Sequence, residues 1–317
     1  MESTANQRQI SVGEDVFARG GEMGALMRAV DWATTPLGPV EQWPQSLRTA
    51  VSICLHSRFP ILIWWGPELV MLYNDAYRDI LGAKHPRSMG QRGRECWPEI
   101  WDVIGPMLKG VLNEGAATWS SDQLLLLNRN GYVEECYFTF SYSPIYGESG
   151  GVDGVFTAVT ETTNSVLGER RLRTLRELAA DASDARAPVE ACRLAALALA
   201  TNPADLPFTL IYSADSPAPA KGIAPILAGC TGFATQDEAL ALASDEALGT
   251  AVARVLRTCE AELLTQAPPV PVQQRLAGTL LENAAHTALL LPISQAGAEQ
   301  CAGVPVSYTH LTLPTIL

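Results

Sequence analysis

Chemistry in a sequence starts with nucleophiles, acid–base groups and metal ligands at usable spacing. GESGG at 147–151 satisfies G-x-S-x-G, in which a serine on a strained strand-to-helix turn becomes an exposed nucleophile. The segment after Ser149, VDGVFTAVTE, reads as a strand instead, so the glycines predict an ordinary hairpin turn. A serine hydrolase using Ser149 is the enzymatic alternative. The four histidines, at 56, 85, 286 and 310, show no HExxH or other ligand spacing, and no metal site is expected. The seven cysteines contain no CxxC pair and are odd in number, which excludes a disulfide framework or a cysteine zinc site. Cys230 or Cys259 is a candidate thiol switch, although nothing basic adjoins Cys230. Glu134 and Glu135 fall on opposite faces of one strand, the wrong geometry for a carboxylate pair. Neither GxxxxGK[ST] nor GxGxxG occurs, and no catalytic set emerges.

What does stand out is a group of aromatic and polar residues, Trp64, Trp65, Tyr73, Asn74, Tyr77, Trp97 and Trp101, around an expected concave sheet. Such a mixture lines ligand pockets, but filling the core between sheet and helix is the commoner use of aromatics.

The elements that must hold these residues follow from pattern. ILIWWG and LVMLYN flank Pro67 and Glu68 and predict two short strands joined by a tight turn, and DAYRDILG (75–82) predicts a short helix ended by Gly82. From Pro98 to Glu114, apolar residues at 100, 103, 104, 107, 108, 111 and 112 form a single helical stripe. Gly115 suits its C-cap, and Gly105-Pro106 predicts a kink or break. TWSSDQLLLL (118–127), YVEECYFTFSY (132–142) and VDGVFTAVTE (152–161) predict three antiparallel strands around the Asn130-Gly131 and GESGG turns. Ahead of these lies a leader with one short helical candidate (21–33), expected to pack on the next domain, and then a helix in SLRTAVSICLHS.

After residue 164 the character changes. SVLGERRLRTLRELAADASDAR places Leu172, Leu175, Leu178, Ala179 and Ala182 at helical spacing, a charged connector helix too short for an independent coiled coil but long enough for a dimer seam. VEACRLAALALAT (189–201) predicts a helix, PFTLIYS (207–213) a strand, 239–264 a mainly helical stretch, PPVPV a breaker and TALLLPI (287–293) a buried strand. A second α+β domain therefore begins near 186.

The whole chain has 317 residues, with Lys+Arg 22 against Asp+Glu 34 and a net charge of −12. That length suggests two domains, and the acidic balance argues against nucleic acid or a polybasic membrane surface as partner. At 47% hydrophobic and 18% charged the chain is expected to fold. MESTANQRQISVGED has no apolar signal region and no stretch matches a membrane span, which points to a cytoplasmic protein.

WWGPELVMLYNDAYRDILGAKHP (64–86), ECWPEIWDVIGPM (95–107), NGYVEECYFTFSYSPI (130–145) and GVFTAVTETT (154–163) resemble a PAS sensory domain of the kind near the N-terminus of bacterial sensor histidine kinases. The resemblance implies an α+β chain with a five-stranded antiparallel sheet and flanking helices. Glu161, Thr162 and Thr163 sit at that family's exit motif, and the following helix, with Leu172 and Leu175, resembles its signal-relay helix. NPADLPFTLIYS (202–213), LAGCTGF (227–233) and LLLPISQAGAEQCAGV (289–304) are similar to a GAF domain.

The organisation expected is a leader (1–45), a PAS-like domain (46–164), a connector helix (165–186), an incomplete GAF-like domain (187–306) and a non-native tail (307–317). Trp64, Tyr73, Asn74, Tyr77, Trp97 and Trp101 become the ligand-pocket candidates. No flavin, haem or bilin attachment motif is present, leaving an unidentified small ligand or a module that only dimerises and relays. His286 precedes a strand and lacks phosphoacceptor surroundings, and no kinase core motif occurs, so no catalysis is expected of this chain. The resemblance implies the sensory input of a two-component histidine kinase, dimeric through the connector and passing its signal to a response regulator through a kinase core not present here. The same module on a cyclic-dinucleotide synthase or phosphatase is the alternative output.

Overall fold

The structure is a computed structural model and describes residues 16–182, 185, 187–214, 225–265, 287–294 and 301–308. The chain divides into two units, Met1–Val166 and Leu167–Leu317. His286, His310, the PPVPV breaker, residues 1–15 of the leader and residues 309–317 of the expected tail lie outside the described residues.

In the first unit, α1 (Gly21–Ala29) and α2 (Gln45–His56) precede β1 (Ile61–Trp65) and β2 (Val70–Tyr73). Single helical turns follow, then α3 (Trp101–Glu114), β3 (Thr118–Leu127), β4 (Glu134–Tyr146) and β5 (Val152–Glu161). The five strands form one antiparallel sheet in the order β2-β1-β5-β4-β3, with Trp64 paired to Met71 on one side and Val155 on the other. In β4, Cys136, Phe138, Phe140 and Tyr142 are buried while the residues between them are half-buried, as expected of a strand with one covered face.

β1 and β2 are buried at every position. Both faces of that half of the sheet are therefore covered. α3 packs on β4 and β5 from within, and α2 packs on β1 and joins the same core through Leu47, Val51 and Cys54. The leader completes this cover as expected: Phe17, Met23, Met27, Trp32 and Trp43 are all buried, with Trp32 and Trp43 edge to face at 5.0 Å. The Asp75 carboxylate accepts from the backbone N–H of Met23 (2.7 Å) and Glu22 (3.2 Å), satisfying first-turn donors of α1. Glu148, in the GESGG turn, does the same for α2 by accepting from Ser46 N–H at 2.9 Å.

α3 ends at Gly115, which is left-handed (φ 67°) and donates to Val111 O, as its sequence predicts. The break expected at Gly105-Pro106 is absent, and the helix runs through Pro106. Pro106 cannot bond to the Asp102 carbonyl, but both residues are exposed, so solvent serves that group.

The second unit begins with most of α4 (Thr163–Ala182), followed by α5 (Pro188–Leu199), β6 (Phe208–Ser213), β7 (Ile226–Thr231), α6 (Gln236–Ala243) and α7 (Glu246–Thr258). β8 (Glu262–Thr265), β9 (Thr287–Leu290), β10 (Ile293–Ser294) and β11 (Cys301–Tyr308) complete it. The main path of this antiparallel sheet is β7-β6-β11-β9-β8, and β10 pairs with β11. Alternate residues of β6 serve two cores: Phe208, Leu210 and Tyr212 join α6 and α7, and Ile211 meets Cys192 and Ala196 of α5.

The stretch 239–264 is mainly helical, as expected, in two pieces, because the Asp245 carboxylate accepts from Leu248 N–H (2.8 Å) and starts α7 afresh, and 262–264 is strand. A central strand, β11, runs through Ser307 and Tyr308, which pair with Thr209 and Phe208.

Within this unit α4 turns its polar side inward. Arg170 bonds the Asp205 carboxylate through Nε (3.1 Å) and Nη2, Asn202 donates to Thr174 Oγ1 (3.1 Å), and Thr201 donates to Glu177 (2.6 Å). Leu172 and Leu175 face outward at 46% and 61% exposure.

Two stability tests follow from these networks. Buried Asn74 accepts from Ile61 N–H and Tyr77 N–H (both 3.1 Å) and donates to Ser57 O (3.0 Å) and Phe59 O (2.7 Å). Asn74→Ala strands those groups and is expected to cost about 2–4 kcal/mol in urea unfolding, whereas a loss below about 0.5 kcal/mol would remove its structural role. At Asp205, burial raises the carboxyl pKa, but the hydrogen bonds from Arg170 and Asn202 outweigh it and hold the group below its ordinary 3.8. Its stabilising charge is thus fully present above pH 3.8 and is lost as pH falls through the lower folded-state value. Asp205→Asn should lower stability by about 2–4 kcal/mol at neutral pH, a gap that narrows in acid; a pH-independent gap contradicts the assignment.

Candidate functional site

The inner face of the first sheet, with α3 and the turns before it, encloses a cavity of about 40 Å³. It is lined by Leu62 and Trp64 of β1, Leu125 and Leu127 of β3, Phe138, Phe140 and Tyr142 of β4, and Thr157 and Val159 of β5. Tyr77, Ile80, Trp97, Ile100 and Ile104 close it from the helical side.

No charged residue lines this space, and its polar groups are neutral. Thr157 Oγ1 accepts from Trp64 Nε1 at 2.9 Å. Burial pushes the Tyr77 hydroxyl well above the usual phenol range, only partly opposed by its hydrogen bond with the Trp97 indole, and burial raises Tyr142 as well. The chemistry on offer is hydrogen bonding to a small neutral molecule, not ion recognition. The volume holds only water-sized guests, since sites for drug-sized ligands span about 300–1,000 Å³, so a larger ligand must displace side chains.

Of the sequence candidates, the structure brings Trp64, Tyr77 and Trp97 together on this wall. Trp101 lies behind it, edge to face with Trp64 at 6.4 Å. Tyr73 turns away to hydrogen-bond His85 Nδ1 (3.0 Å), and Asn74 spends both ends of its amide on backbone groups. Ser149 is exposed in a hairpin turn closed by Gly147 N–H to Gly151 O (2.8 Å), with β5 and not a helix after it.

The segment closing the cavity is pinned by a buried lysine. Lys84 Nζ bonds Glu99 at 2.8 Å, donates to Cys96 O and lies 4.6 Å from the centre of the Trp97 ring. Glu99 also accepts from Asn128 N–H (3.0 Å), which ties this strap to the β3–β4 hairpin.

That hairpin carries the residue sequence reasoning missed. Arg129 is 11% exposed and donates Nη1 and Nη2 to the two oxygens of Glu161, each at 2.9 Å, and Nε to Glu134 at 3.2 Å. Its Nη1 also approaches the carbonyl of Ile80, a cavity residue, at 3.4 Å, and its own carbonyl accepts from Ala83 N–H (2.9 Å). Burial alone would lower the guanidinium pKa, but Glu161 and the neighbouring Cys136 and Glu134 raise it further, so Arg129 stays charged.

The same Glu161 accepts from Thr163 Oγ1 (2.9 Å), which in turn accepts from Tyr137 N–H (2.9 Å), and Thr162 N–H donates to Tyr137 O (2.7 Å). The first residues of α4 are therefore fastened to β4 through the carboxylate that Arg129 holds. An arginine beside the Asn130-Gly131 turn was the sequence signal, but its partners lie 5, 32 and 49 residues away.

Among the described residues no helix is long and apolar enough to cross a membrane, and no cluster of His, Cys, Asp or Glu has metal-binding form. No curated protein matches the chain. Similar solved structures include the sensory box sensor histidine kinase from Vibrio cholerae, at 20% identity over 37% of this chain and 89% of that one (TM-score 0.26). The Rhodobacter sphaeroides LOV protein is another, at 15% identity over 46% and 86% (TM-score 0.32). Residues 56–167 match the family described as PAS fold, and the five-stranded antiparallel sheet with its flanking helices is in keeping with that match.

Proposed function

We propose that the chain is a sensory input module of a two-component histidine kinase. A small neutral ligand or a partner displaces the cavity wall, and α4 passes the displacement to a kinase core outside this chain. The observation that carries this reading is Arg129, which touches the Ile80 carbonyl on the cavity wall and holds Glu161 at the start of α4. A ligand that prefers one position of that wall shifts the population of the helix only by its differential affinity for the two positions.

In this reading Glu161, Thr162 and Thr163 are the exit from the sensor, and no resident cofactor is invoked. Leu172 and Leu175, outward on α4, form the seam of a homodimer, and the second unit is a GAF-like partner domain. A response regulator receives the phosphoryl group from the kinase core, and the assembly works in the cytoplasm.

A chimaera tests the relay. With residues 1–182 fused ahead of a histidine kinase core, Arg129→Gln is expected to change autophosphorylation at least several-fold, while Ser149→Ala leaves it unchanged. Equal rates for Arg129→Gln and wild type in folded protein would contradict the relay. Circular dichroism establishes folding, which matters because unpairing a buried charge costs about 3–5 kcal/mol.

A further inference from the structure

One row of the inner sheet face interrupts its apolar lining. Thr118 of β3 is paired with Tyr142 of β4, and Tyr142 with Thr157 of β5, so the three side chains stand on the same face of the sheet. Their surroundings are hydrocarbon: Leu62 is paired with Thr157 from β1, and the Phe140 ring lies 4.7 Å from that of Tyr142. Thr157 Oγ1 accepts from the Trp64 indole N–H at 2.9 Å, which uses one lone pair and leaves its own proton to donate. Tyr142 is 4% exposed, and its hydroxyl has no hydrogen-bond partner among the described residues. Thr118 Oγ1, at the end of the row, is buried without a partner as well. Burial raises the Tyr142 phenol, which therefore keeps its proton at every ordinary pH. Tyr142 and Thr157 both line the cavity, and no carboxylate lines it with them. The row thus turns hydroxyl donors into a space that offers them no strong acceptor.

We infer that the ligand of this cavity is a small neutral carbonyl compound, whose oxygen accepts from the Tyr142 and Thr157 hydroxyls while its hydrocarbon part lies against the apolar wall. The inference rests on the reading of the cavity as the ligand site of the sensor. A ketone or aldehyde oxygen has two lone pairs and carries no proton, so it serves two donors at once and brings no donor of its own into an apolar space. An ion would enter without a counter-charge, which is costly, and a pure hydrocarbon would leave both hydroxyls as they are. The volume of about 40 Å³ limits the ligand to a short chain, and even that presses on the wall, which is the displacement the relay requires.

The test compares butanone with its methylene analogue, which has the same shape but carries C=CH₂ in place of C=O. Each is titrated into the full, methyl-labelled chain, and the methyl resonances of Leu62 and Val159 on the cavity wall are followed by NMR, with Leu248 and Val252 in the second unit as controls. Butanone is expected to shift the wall methyls saturably and leave the controls in place, and the analogue to bind about tenfold more weakly because the hydroxyls stay without an acceptor. Tyr142→Phe keeps the ring and is expected to weaken butanone several-fold while leaving the analogue unchanged; the comparison of the two compounds on the wild-type chain stands without this variant should it fold poorly. Equal affinity for the two compounds overturns the carbonyl assignment and leaves the cavity as a ligand site. Wall methyls that respond to neither compound, or no more than the controls do, overturn the assignment and the ligand-site reading together.

Discussion

A guanidinium taken out of water must find carboxylates that stay with it, and Arg129 finds two. Desolvation makes the arrangement costly to break from either side, because removing one partner leaves the other charge buried and unpaired. That constraint reaches in two directions. It fixes the β3–β4 hairpin against Ile80 and Ala83, and so the strap over the cavity, and it fixes Glu161, and so the first turn of α4. The helix begins where it does because the last residue of β5 is occupied by Arg129 and Thr163 at once. Lys84 repeats the device on the opposite side of the strap, where Glu99 is shared with the backbone of Asn128.

The cavity is small for a related reason. β1 and β2 are covered on both faces, by α2 and the leader outside and by the aromatic wall inside, so this half of the sheet packs like a core. The cavity remains where the inner face of β1, β3, β4 and β5 meets Tyr77 and Trp97.

Much of the first unit was legible in the sequence. The strands β3 to β5 alternate because one face is wet, and the runs ILIWW and VMLY do not alternate because neither face is. VDGVFTAVTE is β5 residue for residue. The second unit was less legible. CAGVPVSY forms a central strand although Gly303 and Pro305 argue against one, and the Pro305 carbonyl accepts from Leu291 N–H (3.1 Å). Within the mainly helical stretch 239–264, Asp245 sets where α7 begins through a single side-chain cap. Of the aromatic group, composition marked the right neighbourhood but not the facing: Trp64, Tyr77 and Trp97 share the cavity, and Tyr73 and Asn74 do not. The hub at Arg129 was illegible because ion pairs between distant residues leave no local pattern.

The central claim is that the cavity wall and the start of α4 are coupled through Arg129, and a double-mutant cycle read by hydrogen exchange tests it most directly. Ile80→Ala enlarges the cavity wall, Arg129→Gln removes the link, and the readout is the opening free energy of the amides in 163–170. The account predicts that Ile80→Ala loosens these amides in the wild-type background and has no further effect beside Arg129→Gln, a coupling of about 1 kcal/mol. Additive effects of the two substitutions would contradict it.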